Sequence, residues 1–413
     1  MVSEAKIMEF PKTSPHDLST VQFFWDFPQP DHGPVWLNNI RAQAWERFKE
    51  IGIPTPKMER WKYTNIPAAM RSLNIQPFNM DVRVTSDRPY AQSLVDMAER
   101  NEQWLAPLMM ADVPGEEKYA DMGLWHMNTA FLRFGMVIDI PEGRIVEEPI
   151  VIKAHAADGQ FSVPRIVIRM GRNAQATIIE ERSGEGAYWT NTVSQIIMDE
   201  GARLEHCRLL DDSGQGVYTQ SVHFKLARDC YYSSFTLDHG AALCRRTVHA
   251  ELQGPGCEFH LNGLNLLSGK AHSDTTYLVE HQAPHCTSHQ YIRNVLADQS
   301  RGVFQGKVHV HQEAQKTDGY QLANTILLSD KAEMNTKPEL EIYADDVKCS
   351  HGATTGQLDE EPIFYLRSRG LTETQARELM LQSFCAEVID KIGNESFKAK
   401  IEEKVQSWLR KVL

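Results

Sequence analysis

The residues best suited to inorganic chemistry are Cys349 and His351, two positions apart in the run Glu339-Leu-Glu-Ile-Tyr-Ala-Asp-Asp-Val-Lys-Cys-Ser-His351. In an extended strand, positions i and i+2 project from one face, roughly 6–7 Å apart along the backbone. A thiolate and an imidazole so placed can share a soft or borderline metal such as iron or zinc. Two protein ligands are too few for a closed structural site. The spacing therefore describes an exposed half-site, completed by another chain or a transient cargo. On spacing alone, a chance Cys-x-His pair is the competing reading.

A second cluster is His281, His285, Cys286 and His289. On one continuous strand the three histidines share a face, but residues four apart are separated by about 13 Å. A single zinc, with bonds near ~2 Å, needs a turn to join them. Pro284 offers one, and solvated or hydrogen-bonded histidines are the plainer account. Gly263-Leu-Asn-Leu-Leu-Ser-Gly269-Lys270-Ala271 faintly resembles a phosphate loop. It has five residues between the glycines where four are needed, and Ala271 has no hydroxyl for magnesium, so it reads as a turn. There is no Gly-x-Ser-x-Gly elbow and no dinucleotide fingerprint. The 16 histidines and the many carboxylates mark no triad and no glycosidase pair.

Composition narrows the class. The chain has 413 residues, 42% apolar and 24% charged, with a net charge of −12. It contains no Lys/Arg block, which argues against nucleic acid or an anionic membrane as partner. The seven cysteines are an odd set without a CxxC pair, so they read as reduced thiols. No signal or transit pattern and no long apolar run is visible, and a cytoplasmic location is expected.

The elements that must carry these residues fall into three blocks: 1–130 mainly helical, 131–360 β, and 361–413 helical. Residues 1–16 read as a polar arm. Trp36, Ile40, Ala44 and Phe48 fall at helical intervals within Leu18 to Ile51, and Ile53-Pro-Thr-Pro56 stops that helix. Trp61-Lys-Tyr-Thr64 follows on a loop, and further helices are expected from Tyr90 to Leu105 and from Gly123 to Phe131. The middle block is a series of short β-prone runs. Val222-His-Phe-Lys-Leu226 echoes as Val248-His-Ala-Glu-Leu252, and turns at Glu200-Gly201, Arg228-Asp229 and Pro255-Gly256 recur at about the same interval. A period of this length suits a solenoid, where each rung buries its apolar face on the next, although a sandwich or barrel remains open. In the last block Thr372 and Gln375 form a capping box. Leu379, Met380, Phe384, Val388 and Ile389 then make one apolar stripe, and a second amphipathic helix runs from Phe397 to Leu413.

Residues 316–371, and above all the phrase KPELEIYADDVKCSHGAT, resemble the SufB/SufD family of iron–sulfur cluster assembly scaffolds, on its SufD side. Ser300-Arg-Gly-Val-Phe-Gln-Gly306 and the loop Trp61-Lys-Tyr-Thr64 carry the same likeness. The resemblance implies a right-handed parallel β-helix flanked by N-terminal and C-terminal α-helical regions. It implies a scaffold rather than an enzyme, pairing with SufB and binding the SufC ATPase through the C-terminal helices, with a role in iron acquisition. Cys349 and His351 match interface positions for iron or a nascent Fe–S cluster shared with SufB, and reduced flavin is linked to the whole complex. SufB ligands expected near Lys331-Ala332-Glu333 and at Gly352 are absent, which favours the SufD side. The isolated chain is a candidate homodimer, since solenoid ends are open strand edges. The rival readings are a β-helix polysaccharide lyase or hydrolase, and a stand-alone metalloenzyme using His281–His289.

Overall fold

The structure is a computed structural model that describes residues 16–27, 29–73, 75, 83–85, 89–100, 104–110 and 122–413. The arm expected for residues 1–16 lies, His16 apart, outside these.

The middle of the chain winds into a parallel β-solenoid of about eight turns. Each turn gives one strand to each of two facing sheets. The first sheet runs from Gly135–Ile140 through Arg165–Met170, Trp189–Met198, Val217–Leu226, Leu243–Leu252, His272–His281 and Arg301–Val310 to Glu333–Ile342. The second runs from Ile150–Ala156 to Thr287–Leu296, Asp318–Leu327 and finally Lys348–Gly356. The sequence echo is the register itself: Val222 pairs with Val248, His223 with His249 and Leu226 with Leu252. Coil length grows from 26 residues at Val217↔Leu243 to 32 at Arg301↔Glu333, which is why the period looks loose in sequence.

One corner keeps the coils in step. Asn173, Gly201, Asp229, Gly256, His285 and Lys316 all have positive φ, and each donates its N–H to a carbonyl of the next coil, as Asp229 does to Pro255 O at 2.9 Å. Inward-facing residues stack in rows, with Phe224, Tyr232 and Phe259 in ring contact and Tyr232 stacked on Phe259 at 5.1 Å. Each such side chain contributes about 1.5–3 kcal/mol by leaving water.

Helical segments cover both outer faces. The helix Val35–Ile51 buries Ile40, Ala44 and Phe48 and ends at Gly52. The helix expected over Tyr90–Leu105 is shorter: Ala91–Ser93 adds an antiparallel strand to the first sheet, and only Leu94–Glu99 is helical before Leu105–Met110. Trp61 closes a short 3₁₀ turn over the first sheet, where Arg245 lies over its ring at 4.3 Å. Arg245 also pairs with buried Asp274, which accepts from Thr64.

At the other end the capping box of Thr372 and Gln375 opens Glu373–Ile389, and Glu395–Val412 follows. A further helix, Glu360–Ser368, starts at Asp359, whose side chain accepts from Glu361 N at 3.0 Å. The apolar stripe is phased differently from the sequence expectation. Ala376, Leu381, Cys385, Val388 and Ile389 are buried against the outer face of the second sheet, and Leu379 points outward at 45% exposure. Polar clamps add to this seat: Gly393 and Asn394 donate their N–H groups to Glu205 at 2.7 and 3.0 Å, and Lys404 reaches Asp211 at 2.5 Å.

Candidate metal centre

The last strand, Lys348–Gly356, pairs in parallel with Asp318–Leu327, and its other edge meets no strand among the described residues. The register sets Cys349 on Gly319 and His351 on Gln321. Gly319 and Gln321 belong to the buried, inward-facing row of their strand. Cys349 and His351 therefore continue that row on the floor of the final coil, where no further coil covers them among the described residues. Cys349 is half-buried against Val308, Val310, Ala314 and Ala344, whereas His351 is exposed. Met334 and Leu340 from Glu333–Ile342 pack on the core from the neighbouring edge.

The thiol is not pre-activated. Burial, and then the carboxylate of Asp318, push Cys349 above its ordinary value, against a backbone hydrogen bond from Gly319. Metal binding requires the thiolate, so a cation arriving at this floor must itself displace the proton. A thiol and an imidazole on one face at an open strand edge are two donor types that iron or zinc accepts, and two donors alone leave such an ion's coordination incomplete.

The other histidine cluster comes apart. His281 is fully buried and pairs with Ser288 Oγ at 2.8 Å. His285 occupies the left-handed corner. His289 is half-buried beside Asp318 at 3.8 Å, with the His260 ring 5.2 Å away. Gly263 lies inside the strand Glu258–Leu267 and Gly269 in the following turn, so no helix start meets the phosphate-loop lookalike. All seven cysteines are free, and the six other than Cys349 are buried.

Sequence reading missed two groups on the outer face of the first sheet. His223, His249 and Glu251 converge, as do Glu280, His309 and His311. The Val-His echo at 222–226 and 248–252 was the one signal pointing to the first. The second joins strands whose partners are 29 residues apart, Glu280↔His309, with no recurring motif.

These features define a parallel β-solenoid whose last coil ends on an open strand bearing Cys349 and His351. The family signature described as "SUF system FeS cluster assembly, SufBD core domain" matches residues 152–384, and "SufBD protein N-terminal region" matches residues 30–88. The chain belongs to the SufBD family of iron–sulfur cluster assembly proteins. It is 31% identical over 414 residues to an iron–sulfur cluster assembly SufBD family protein of Synechocystis, covering 89% of this chain and 90% of that one. It is 28% identical over 395 residues to the iron–sulfur cluster assembly protein SufD of Escherichia coli, covering 88% and 91%. A Mycobacterium leprae SufBD family protein matches at 29% over 291 residues, 68% of this chain and 74% of that one. No described helix is long and apolar enough to cross a membrane.

Proposed function

We propose that the chain is a SufD-type scaffold subunit of a SufB–SufC–SufD complex, with Cys349 and His351 contributing ligands to iron or a nascent cluster at the contact with SufB. The observation that carries this reading is the uncovered floor of the last coil. It pairs a half-buried thiol with an exposed imidazole on one strand face, beside a free strand edge. Open edges are templates for pairing with another chain, and in isolation the same edge pairs two copies into a homodimer. In this reading the chain performs no catalytic step of its own. It works in the cytoplasm, where reduced thiols persist, it serves iron acquisition, and reduced flavin belongs to the assembled complex.

The three blocks take separate roles: 1–130 covers the first sheet, 131–360 forms the solenoid, and 361–413 docks SufC. The dock is not the apolar stripe, which is spent on the second sheet. It is the outward surface formed by Phe364, Tyr365 and Leu379, exposed by 74%, 56% and 45%. Exposed aromatic residues of this size favour a partner surface.

The test is anaerobic purification of the tagged chain from its native cell. SufB and SufC should co-purify with it, with iron in the complex. Recovery of the chain alone, with neither partner, would contradict the reading.

A further inference from the structure

Four imidazoles and two carboxylates run in a row across the outer face of the first sheet, from Val217–Leu226 to the turn after Arg301–Val310. Each half of the row holds two histidines and one glutamate. Two histidines and one carboxylate, with positions left open, are the donor set that suits non-haem ferrous iron.

The two halves differ in what an ion would meet. His223 and Glu251 are already closed on each other, Nε2 to Oε1 at 2.6 Å, and both are buried. The cavity of about 40 Å³ beside His223 and His249 is walled by Arg60 and Trp61. A guanidinium at the wall of so small a space repels a cation. In the half built by Glu280, His309 and His311 the acid–imidazole contact is longer, 3.3 Å between Glu280 Oε1 and His309 Nδ1, and only partly buried.

Its geometry is open and convergent. Glu280 Oε1 lies 3.3 Å from His309 Nδ1 and 4.0 Å from His311 Nε2. The ligand atoms of all three groups fall within 4.8 Å of one another. Neighbouring ligands around an ion with bonds near 2.1 Å sit roughly 3 Å apart, so small side-chain rotations close the site. The side chain of His311 is 35% exposed, which provides a path from solvent.

Two further observations point to an ion rather than to a plain hydrogen-bond ladder. The His309 and His311 rings stack at 4.3 Å between centroids. The stack sets two imidazole donors side by side next to the same Glu280 oxygen, 3.3 and 4.0 Å from it, so one ion could take a nitrogen from each. The second oxygen of Glu280 is held by His249 Nε2 at 3.0 Å. Such an outer partner orients a carboxylate ligand and leaves its first oxygen aimed at the site.

We propose that Glu280, His309 and His311 form a ferrous-iron-binding site on the outer face of the solenoid, distinct from Cys349 and His351. His309 pairs with Glu280 on one side and with Glu341 of the terminal strand on the other. The site is thus one strand in from the open end, suited to holding iron before it reaches the last coil. This inference rests on its own residues and stands whether or not Cys349 and His351 are cluster ligands.

The experiment is anaerobic titration of the purified full chain with ferrous iron alone, and with cobalt(II) as a visible-absorption probe. The chains compared are wild type, Glu280→Gln, His311→Ala, His223→Gln and the double variant Cys349→Ser/His351→Ala. Wild type should bind one ion with cobalt absorption bands of mixed nitrogen and oxygen ligation. Glu280→Gln keeps a hydrogen-bond acceptor for the histidines, and His311, half-buried and beyond the end of its strand, is trimmed without opening the core, so both variants should fold. Each should weaken binding of this ion roughly 10-fold or more, while His223→Gln leaves it unchanged and the double variant loses any weaker binding at Cys349 and His351 but keeps this ion. Circular dichroism confirms that each chain is folded. No saturable binding to wild type, unchanged affinity in Glu280→Gln and His311→Ala, or loss of this ion only in His223→Gln or in the double variant would each overturn the proposal.

Discussion

Cys349 stands directly on Gly319 in the neighbouring coil: a Cβ added to Gly319 would lie 3.2 Å from Cys349 Sγ and 3.4 Å from Val308 Cγ1. The missing side chain is what lets the thiol settle into the floor of the last coil. Gly319→Ala should push Cys349 outward and raise its alkylation rate by iodoacetamide several-fold, at a stability cost of about 1 kcal/mol. Mass spectrometry of the Cys349 peptide reads the rate. An unchanged rate would show that Gly319 does not set the position of the thiol.

The N-terminal cover is fastened by a buried ion pair. Arg245 and Asp274 are both essentially inaccessible, with Arg245 under Trp61 and donating to Arg60 O at 3.0 Å. Asp274→Ala strands the guanidinium and should cost about 3–5 kcal/mol. It should also red-shift tryptophan emission as the Trp61 loop lifts. Urea denaturation and fluorescence read both, and a loss below about 1 kcal/mol would mean that the pair does not hold the loop.

Acid should loosen the solenoid through Glu180. Burial raises its pKa, but the opposing effects of His206, whose Nε2 lies 2.7 Å away, and of Arg208 and Arg182 outweigh it, so the carboxyl sits below its ordinary 4.5. A carboxyl depressed in the folded state stabilises fully above its unfolded value, and the contribution is lost as pH falls through the folded one. Urea midpoints should therefore drop between pH 5 and lower pH more steeply in wild type than in Glu180→Gln. Equal slopes would remove Glu180 from the account.

The position of the C-terminal helices changes what a deletion can report. Removing residues 371–413 would uncover Leu209, Phe235, Leu237 and Leu264 of the second sheet, so the truncated chain should aggregate. Phe364→Ser and Leu379→Asp alter exposed side chains, and should leave stability within about 0.5 kcal/mol. They should nevertheless abolish capture of SufC in a pull-down. Full-strength capture by both variants would move the dock elsewhere.

The sequence carried the fold where a residue's role repeats from coil to coil. Val222 to Leu226 and Val248 to Leu252 face the same surroundings one turn apart, so they kept the same pattern and their register could be read directly. Cys349 and His351 were legible because both lie on one strand, where spacing alone sets the face. Glu280 and His309 were not, since stacking joins residues a full coil apart and coil length varies. Asp229 was read as a corner together with Gly201 and Gly256, whereas His285 and Lys316 were not placed in that series, because left-handed turns are expected at glycine. The helix Glu360–Ser368 was not singled out within the block expected to be helical, although Asp359 and Glu360-Glu361 mark its start, and Pro362 lies in its first turn. Proline is tolerated in a first helical turn, whose N–H groups lack partners in any case. Leu379 was assigned to the buried stripe because helical spacing gives a stripe but not the direction it faces.

The central claim is that His351 is a metal ligand at the contact with SufB. Removing an exposed side chain usually costs within about 0.5 kcal/mol, so His351→Ala should fold and assemble as wild type does. His351→Gln keeps a hydrogen-bonding group but is a poor iron ligand. Cluster reconstitution on anaerobic SufB–SufC complexes containing wild type, His351→Ala or His351→Gln, followed by visible absorption, separates ligation from hydrogen bonding. Both variants should show lower cluster absorption than wild type; wild-type absorption from the His351→Gln complex would contradict the ligand role.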